Sequence, residues 1–416
     1  MARRNIAVDP AFAARLRELR TARGMSYRDF DTISRSYVYD LESGRKRPTP
    51  EIAAALDAAL DAGGELVRLV MVQAPSIGPI VVADDDLDEI EALELARRIA
   101  ASDVGEETVR RLEGMVDELA TRYSATPPAQ LLRRVRRYLT YSSHLLDHSV
   151  RKTLDEHRRL VVVSAWLSML AATLHIDLKQ SAVAEARLVA AASLARHAGD
   201  REIQAWVLET RAWSALTEGD YPTALRLAQA GQGIAPRGSS VAIQAIAQEG
   251  RAWARLGRAD ETYDAIKRVD RLVSPLPRPG RPEHHYRYDP GKATAYVATT
   301  LAWVGDPAAE GYAREVIAHL GGAGGRPRRM AVAQVDLGLA LVAAHRPDEA
   351  VGVTQAAILS GRIVPSNQWR ALEVVTALEA TGAPEAVQLR EAYEALRRGE
   401  LTPRAQPTGP DVSAGD

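Results

Sequence analysis

The sequence predicts an all-α fold, in which a small N-terminal helical bundle precedes an α-solenoid of paired helices. Apolar residues recur at the i, i+3, i+4 spacing of amphipathic helices over most of the chain. From residue 157 onward, a template of helix, tight turn and second helix repeats about every 40 residues, which is the periodicity of a solenoid. The 416 residues, of which 46% are hydrophobic and 26% charged, are enough for several folded domains.

Composition excludes several classes of protein. The chain has no Cys, which excludes disulfides, thiolate metal sites and cysteine nucleophiles. Its first residues lack the apolar stretch of a secretory signal, and no window holds the ~18 apolar residues of a membrane span. We therefore expect a cytoplasmic protein without a membrane partner. Residues 1–50 hold 11 basic and 6 acidic side chains, whereas residues 84–118 hold 4 and 13, so only the first segment suits a polyanion.

Residues 1–72 predict a head of four or five short helices. Asp9 is expected to cap the first helix, and the capping-box pattern from Ser26 to Asp29 predicts a second, short helix that ends at Phe30. The apolar stripes of the first, third and fourth helices are Phe12, Leu16 and Leu19; Tyr37, Val38 and Leu41; and Ile52, Leu56 and Leu60. Both Phe residues of the chain lie in this head, as expected for a separate small core.

A specific resemblance rests on the segments 16–20, 25–28 and 34–50. The last of these ends with Leu41, Glu42, Gly44 and Pro48 in the pattern LE-x-G-x-x-x-P. In these segments the chain resembles the Cro/C1-type (XRE) helix-turn-helix family. The resemblance implies a recognition helix over residues 34–42 and binding of double-stranded DNA. It also implies that Glu42 pairs with an arginine of the first helix, Arg17 or Arg20.

The resemblance implies two sets of DNA-binding residues. Those expected nearest the bases are Ser34, Arg35, Ser36, Tyr37 and Tyr39. Those expected to contact phosphates are Arg28, Arg45, Lys46 and Arg47. The sequence departs from the family pattern between Arg28 and Ser34, where it is about three residues shorter, so Asp31 to Ile33 must form the turn. The alternative is therefore a head that folds but binds DNA weakly.

The segments between head and solenoid differ in composition. Residues 73–86 are rich in Pro, Gly and Asp, which predicts a linker, and residues 87–156 predict connecting helices around 87–102, 106–123 and 128–147. The second of these helices is acidic, whereas residues 128–160 are basic. Complementary packing of neighbouring helices is one interpretation, and competition of the acidic stretch for the basic head is the other.

Residues 157–400 predict serial helical hairpins, followed by a disordered tail over 401–416. The residues that begin the second helices are Ala184, Ala224, Thr262, Glu310 and Ala350, with a weaker sixth unit at Ala386. One unit, residues 205–236, has small residues at the offsets of a tetratricopeptide repeat. The chain as a whole resembles actinobacterial helix-turn-helix regulators with such repeats, and in architecture the peptide-sensing regulators of Gram-positive bacteria. A single head offers little interface with DNA, so we predict a homodimer that reads two half-sites and whose repeats bind a small-molecule or peptide effector.

Polar and aromatic residues at matching positions of successive hairpins predict a ligand groove. Alignment of the hairpins places Trp166, Trp206 and Trp369 at one equivalent position. The other candidate ligand-binding residues are Glu209, Trp213, Gln244, Gln248, Arg251, Lys292 and Tyr296. An aromatic floor with a few polar groups suits a ligand, whereas packing between helices is the alternative. Only Asn367 offers an asparagine amide for a peptide backbone, which favours a small molecule.

Other motifs indicate neither an enzyme nor a metalloprotein. A long insertion at residues 274–290 contains His284, His285 and Asp289, but adjacent histidines point apart in most backbones. His144 and His148 lack the carboxylate of an H-E-x-x-H motif. We find no phosphate loop, nucleophile elbow or dinucleotide fingerprint, so we expect no catalysis, cofactor or metal. The function expected is a ligand-sensing DNA-binding regulator, and the alternative is a protein-interaction adaptor whose head does not read DNA.

Overall fold

A computed structural model of the chain describes residues 10–30, 33–46, 48–71, 85–99, 103–147, 150–277, 283–321 and 326–401. Every regular element in these ranges is a helix, so the all-α fold class is confirmed. The chain divides into two compact units, Met1–Asp85 and Asp86–Asp416. The predicted cap Asp9, most of the predicted linker and nearly all of the predicted tail lie outside the described residues.

The N-terminal unit contains four helices in its described part. They are α1 (Pro10–Ala22), α2 (Arg35–Glu42), α3 (Pro50–Ala59) and α4 (Glu65–Met71). One core holds them together, and its largest fully buried side chains are Phe12, Leu16, Leu41, Leu56, Leu60 and Leu66. The carboxylate of Asp57 accepts hydrogen bonds from the backbone nitrogens of Gly64 (2.6 Å) and Leu66 (2.7 Å), and thereby fixes the start of α4 against α3.

The predicted second helix from Ser26 to Phe30 is wrong, because the chain forms a single turn there. The backbone nitrogen of Ser26 donates to Asp29 Oδ2 at 2.7 Å, and that of Asp29 donates to the carbonyl of Ser26 at 3.2 Å. Phe30 and Ile33 are both 6% exposed and belong to the core. Burial of Phe30 at the end of this segment favours the single turn over a helix that would continue along the surface. The capping-box residues therefore close a turn and do not start a helix.

In its described part, the C-terminal unit begins with three helices and continues with six helical hairpins. The three helices are α5 (Asp85–Ile99), α6 (Glu106–Arg122) and α7 (Pro128–Leu146). The hairpins are α8 (Leu154–Asp177) with α9 (Ser181–Ala198), α10 (Arg201–Thr217) with α11 (Tyr221–Ile234), α12 (Ser240–Arg255) with α13 (Ala259–Val273), α14 (Pro290–Val304) with α15 (Ala308–Gly321), α16 (Pro327–Ala343) with α17 (Pro347–Leu359), and α18 (Gln368–Thr381) with α19 (Ala386–Arg398).

Side-chain caps and small buried residues define the hairpins. Asp200, Asp220 and Ser239 accept hydrogen bonds from backbone nitrogens of the helices that they precede. Of the six residues predicted to start the second helices, only Ala386 does so, because the other five helices begin two or three residues earlier. All six predicted residues except the fourth are almost completely buried. In the fourth hairpin the buried residue is Ala309, and the predicted Glu310 is only half-buried. Only the small residue fits the narrow space between paired helices, so the prediction was wrong by one position.

Contacts between distant hairpins close the C-terminal unit around a cavity. Arg328, at the start of α16, donates to Asp177 at the end of α8. On the opposite side, Arg255 of α12 pairs with Glu373 of α18. The rings of Trp303 and Trp369 stack with centroids 5.8 Å apart. The solenoid is therefore curved enough for its later hairpins to contact its first three.

Within the described ranges, one helix, α8, is long and apolar enough to cross a membrane. Its most apolar 18-residue window has a mean hydropathy of 1.6, and 89% of that window is buried inside the protein. No such window was expected from the sequence. In the fold, α8 is a core helix between α7 and α9, and both of its neighbours cover its apolar surface.

Candidate nucleic-acid interface and ligand cavity

Helix α2 presents a polar face to the surface of the N-terminal unit. Val38 and Leu41 are fully buried, which fixes the rotation of the helix about its axis. The opposite face exposes Ser34 at the N-cap and then Arg35, Ser36 and Tyr39. The structure thus brings four of the predicted base-contacting residues onto one exposed surface, and Tyr37 lies half-buried beside them.

Basic side chains lie on the same surface and contact its tyrosines. The guanidinium of Arg45 lies 5.5 Å from the ring centroid of Tyr39. The ammonium of Lys46 lies 4.8 Å from the ring centroid of Tyr37 and 3.3 Å from Asp40 Oδ2. Cation–π contacts of this kind hold the two cations beside α2. Arg28 is exposed on the preceding turn, and Arg47 lies outside the described residues.

Glu42 joins α2 to α1, as the resemblance implied. Its carboxylate is almost fully buried and accepts two hydrogen bonds from Arg20, at 2.5 and 3.0 Å. Arg17 lies 3.7 Å from the same carboxylate, so both candidate arginines contact it. The hydroxyl of Tyr27 donates to it at 3.0 Å, a contact that the sequence pattern did not reveal. Glu42 is therefore a structural residue and not part of the exposed face.

The C-terminal unit contains a cavity of about 1310 Å³, counting its open mouth. Seven predicted ligand-binding residues line it: Trp206, Glu209, Trp213, Gln244, Arg251, Lys292 and Tyr296. Asn367, the asparagine considered for a peptide ligand, also lies in the wall. Positions that succeed one another along the hairpins thus converge on one space, because the solenoid curves around it.

The remaining three predicted residues do not line the cavity. Trp166 packs on Tyr286, with ring centroids 4.8 Å apart, and Trp369 stacks on Trp303. Gln248 is fully buried behind Arg251. For the two Trp residues the packing alternative holds: curvature of the solenoid turns equivalent positions of different hairpins toward different neighbours.

A chain of hydrogen bonds crosses one wall of the cavity. The amide of Gln244 donates to Glu209 Oε1 at 2.9 Å and contacts the hydroxyl of Tyr296 at 2.8 Å. Glu209 is 5% exposed, and burial raises the pKa of its carboxyl group to about 7. This wall therefore carries a carboxyl group that changes charge near neutral pH.

The insertion at residues 274–290 supplies another part of the wall. Tyr286 is buried between Trp166 and Trp206. The ammonium of Lys292 donates to the backbone carbonyls of His284 (2.6 Å), His285 (3.1 Å) and Arg287 (2.5 Å), which holds the insertion in place. Burial lowers the pKa of Lys292 to about 8. Glu283 and His285 line the cavity, although no sequence pattern marked them for that role.

The two histidines of the insertion face different neighbours. His284 Nε2 lies 3.0 Å from Asp117 Oδ1, and burial lowers the pKa of His284 to about 4. The ring of His285 packs on Tyr123, with centroids 4.1 Å apart. Within the described ranges, no group of three or more His, Cys, Asp or Glu side chains could hold a metal ion.

Basic residues of the fifth and sixth hairpins complete the cavity, and sequence reasoning missed them. Arg328 and Arg329 lie at the start of α16, and Arg370 lies in α18 beside Asp336 of α16. Arg370 and Asp336 are 5% and 3% exposed. Charged residues on otherwise apolar helix faces were the available signal, since buried charges require partners or a function.

Comparison with known proteins supports the assignment of the head. Residues 11–70 match the model of a family described as a helix-turn-helix domain. No curated protein matches the sequence. Among solved structures, the chain is similar to PlcR from Bacillus thuringiensis, crystallised in complex with the peptide PapR7 and DNA. The identity is 13%, the match covers 63% of this chain and 94% of that chain, and the TM-score is 0.25.

Proposed function

We propose that this chain is a DNA-binding transcriptional regulator whose helical-repeat unit binds a small-molecule or peptide effector and forms a homodimer. The observation that carries the proposal is the exposed polar face of α2 with Arg45 and Lys46 beside it, within a head that matches a helix-turn-helix family model. A helix of this size with exposed Arg, Ser and Tyr side chains fits the major groove, where such groups discriminate base edges.

The two kinds of exposed residue have different roles in this proposal. Arg45 and Lys46 contact phosphates and contribute a salt-dependent term that is independent of sequence. Arg35 and Ser36, at the N-terminal end of α2, contact bases and provide specificity. One head buries little surface, so we propose that a homodimer places two heads on two half-sites.

The cavity is the proposed effector site. Its aromatic wall and convergent polar groups are typical of sites for small organic ligands. An effector regulates DNA binding only if it binds two states of the protein with different affinity. Closure of the solenoid by contacts between distant hairpins supplies an element whose curvature a ligand would alter.

Selection from randomised duplex DNA tests the proposal with the full chain. The wild-type protein is expected to enrich a sequence with two-fold symmetry, and the variant Arg35→Ala/Arg45→Ala is expected to enrich none while its thermal unfolding stays unchanged. Arg110→Ala/Arg397→Ala removes the same charge from exposed sites of the C-terminal unit and serves as the matched control. Equal enrichment by both double variants would remove the DNA-contact assignment.

Light scattering of the full chain in solution tests the proposed homodimer, and it should give twice the mass of one chain.

The second candidate is a protein-interaction adaptor whose head does not read DNA. The single turn in place of the helix at residues 26–30 favours it, because a helix at that place normally positions the recognition helix on the phosphate backbone. An adaptor would bind duplexes weakly, with a steep salt dependence and no enriched sequence. The selection experiment therefore separates the two candidates.

A further inference from the structure

The charges that surround the cavity are only partly compensated within the protein. Among the described residues its cationic lining residues are Arg251, Lys292, Arg328, Arg329, Arg362 and Arg370. Three of them pair with a carboxylate that is fully or largely buried: Arg328 with Asp177, Arg329 with Glu283, and Arg370 with Asp336. Arg362 also interacts with a group of the protein. The ammonium of Lys292 is occupied by three backbone carbonyls.

Arg251 has a different environment. It is 7% exposed, and no ion pair joins its guanidinium to a carboxylate in the described part of the chain. One terminal nitrogen donates to Gln248 at 3.2 Å, whereas the buried Nε has no hydrogen-bond partner there. Burial of a guanidinium without a directly paired carboxylate is unfavourable, and burial lowers the pKa of Arg251, although the more distant charges of Asp336 and Glu209 act in the opposite direction. A bound anion would supply the missing partner.

The surroundings of Arg251 hold it in one orientation. The ring centroids of Tyr296 and Trp303 each lie 5.2 Å from its Cζ. Two aromatic contacts and the hydrogen bond to Gln248 restrict rotation of the planar group. A fixed guanidinium matches the two oxygens of a carboxylate, which it can bind with two parallel hydrogen bonds.

The other residues of the cavity wall restrict the shape and the charge of the ligand. Trp206, Trp213 and Tyr296 supply ring faces and edges, and small apolar side chains of α14 and α16 supply the opposite surface. A flat apolar group packs well against such a wall. Glu209 lies nearby through Gln244 and Tyr296, so a second negative charge on the ligand would be repelled whenever that carboxyl group is ionised.

We infer that the cavity binds an organic monocarboxylate with a flat apolar body, and that the guanidinium of Arg251 binds the carboxylate. This inference rests on the proposal that the cavity is the effector site, and it adds the chemical class of the effector.

Binding of matched probe pairs to the full chain tests the inference. The probes are 2-naphthoate, indole-3-acetate and benzoate, each with its neutral primary amide, and the dissociation constants are measured by ligand-observed NMR at millimolar concentration. At least one carboxylate is expected to bind the wild-type protein roughly tenfold more tightly than its amide, because a charge-assisted hydrogen bond to a buried group is lost in the amide. Inorganic phosphate is expected to compete weakly.

Two variants test whether Arg251 causes the preference for carboxylates over amides. Arg251→Gln is expected to bind each carboxylate and its amide equally. Arg211→Gln, the control, removes an arginine of α10 that pairs with Glu185 and does not line the cavity, and it should keep the preference for carboxylates. If Arg251→Gln fails to fold, Arg251→Lys retains the charge without the planar donor pair and should reduce the preference.

The outcomes separate the two proposals. Equal binding of acid and amide by the wild-type protein, or tighter binding of phosphate than of every carboxylate, overturns the inference about charge and leaves the cavity as a ligand site. Failure of every acid and every amide to bind overturns the effector site as well. Loss of the preference in Arg211→Gln as strongly as in Arg251→Gln overturns the assignment to Arg251. The DNA selection experiment is independent of all these results.

Discussion

Arg328, the second residue of α16, donates a hydrogen bond to Asp177, the last residue of α8, across 151 residues of sequence. A second nitrogen of Arg328 donates to the backbone carbonyl of Tyr123 at 2.7 Å, and Ser366 donates to the other oxygen of Asp177 at 3.1 Å. Both charged side chains are buried. One ion pair thus joins the first hairpin, the fifth hairpin and the segment before the sixth beside the cavity.

Asp177→Asn is expected to lower the free energy of unfolding by about 3–5 kcal/mol, because it leaves the buried Arg328 without a counter-ion. Denaturant unfolding of the full chain measures this change. Asp177→Leu/Arg328→Met should be less destabilised than the single variant, since no unpaired charge remains. Glu400→Gln breaks an exposed pair with Arg398 and should cause no measurable change. A double variant that is less stable than Asp177→Asn would contradict this account.

Glu42→Gln is expected to destabilise the N-terminal unit by about 3 kcal/mol, because the largely buried Arg20 loses its counter-ion. Amide hydrogen exchange of the full chain should then show reduced protection of α1 and α2, with α8 to α19 unchanged. Glu18→Gln alters an exposed residue of α1 that pairs with Arg15, and it should leave protection unchanged. Unaltered exchange in Glu42→Gln would mean that α2 is held by its apolar contacts alone.

Gly338→Ala is expected to destabilise the fifth hairpin by about 1–3 kcal/mol, because the added Cβ would overlap Thr354 Oγ1 and lie 3.3 Å from Val374 Cγ1. Thr354→Ala in the same chain should restore most of the stability, since that buried hydroxyl has no hydrogen-bond partner among the described residues. Thermal unfolding measures both variants.

Gly352→Ala is the matched control for Gly338→Ala. Gly352 lies on the exposed side of α17 with open space around the position of a Cβ. Alanine there should stabilise the helix by about 0.5–1 kcal/mol. Destabilisation by both substitutions, without rescue by Thr354→Ala, would show that close approach of the helices is not the cause.

Stability is expected to fall with rising pH through Glu209. As the pH rises from 4.5, the ordinary pKa of a glutamate, to about 7, the unfolded chain releases this proton while the folded chain retains it. The wild-type protein therefore loses stability over that window relative to Glu209→Gln, by a difference on the order of 3 kcal/mol. Denaturant unfolding at pH 5 and pH 8 measures the difference, and equal pH dependence of the two proteins would contradict the buried carboxyl group.

Through Glu249, the stability of the protein is expected to depend on pH in the opposite direction to that through Glu209. Burial alone would raise the pKa of Glu249, but hydrogen bonds from Gln232 and Gln229 and the pairing with Arg268 leave it below its ordinary value. The wild-type carboxylate thus contributes stability that is present above the ordinary pKa and lost as the pH falls through the lower folded value. The difference between the wild-type protein and Glu249→Gln should therefore shrink on acidification.

Local patterns predicted the hairpins well and the head less well. The turns at Asp220 and Arg258 follow from Gly, Asp and small residues at fixed offsets, because such turns and caps depend on neighbours in sequence. Ser26 to Asp29 carries an equally good local signal, but burial of Phe30 in the core decides the path of the chain there. A capping pattern specifies hydrogen bonds over one turn, and it does not determine the path of the chain beyond that turn.

The residues of the cavity were likewise predicted only in part. Helical spacing identified Glu209, Gln244 and Arg251, because each lies on the inward face of its own helix. It failed for Trp369, whose position matches that of Trp206 in repeat alignment but whose ring stacks on Trp303. Repeat alignment assumes that every hairpin meets the same surroundings, and a strongly curved solenoid does not provide them.

The amino-acid sequence by itself determined the paired helices of the C-terminal unit and most of the faces that they bury, since periodicity, caps and turn residues act over a few positions. Only the tertiary structure decided how tightly the solenoid of hairpins curves. That curvature brings Arg328 to Asp177, and it places Arg251 in the cavity wall with no carboxylate paired to it among the described residues. Curvature is the sum of packing angles along the whole stack. Small differences in side-chain volume at each interface set those angles, and no short window of sequence contains that sum.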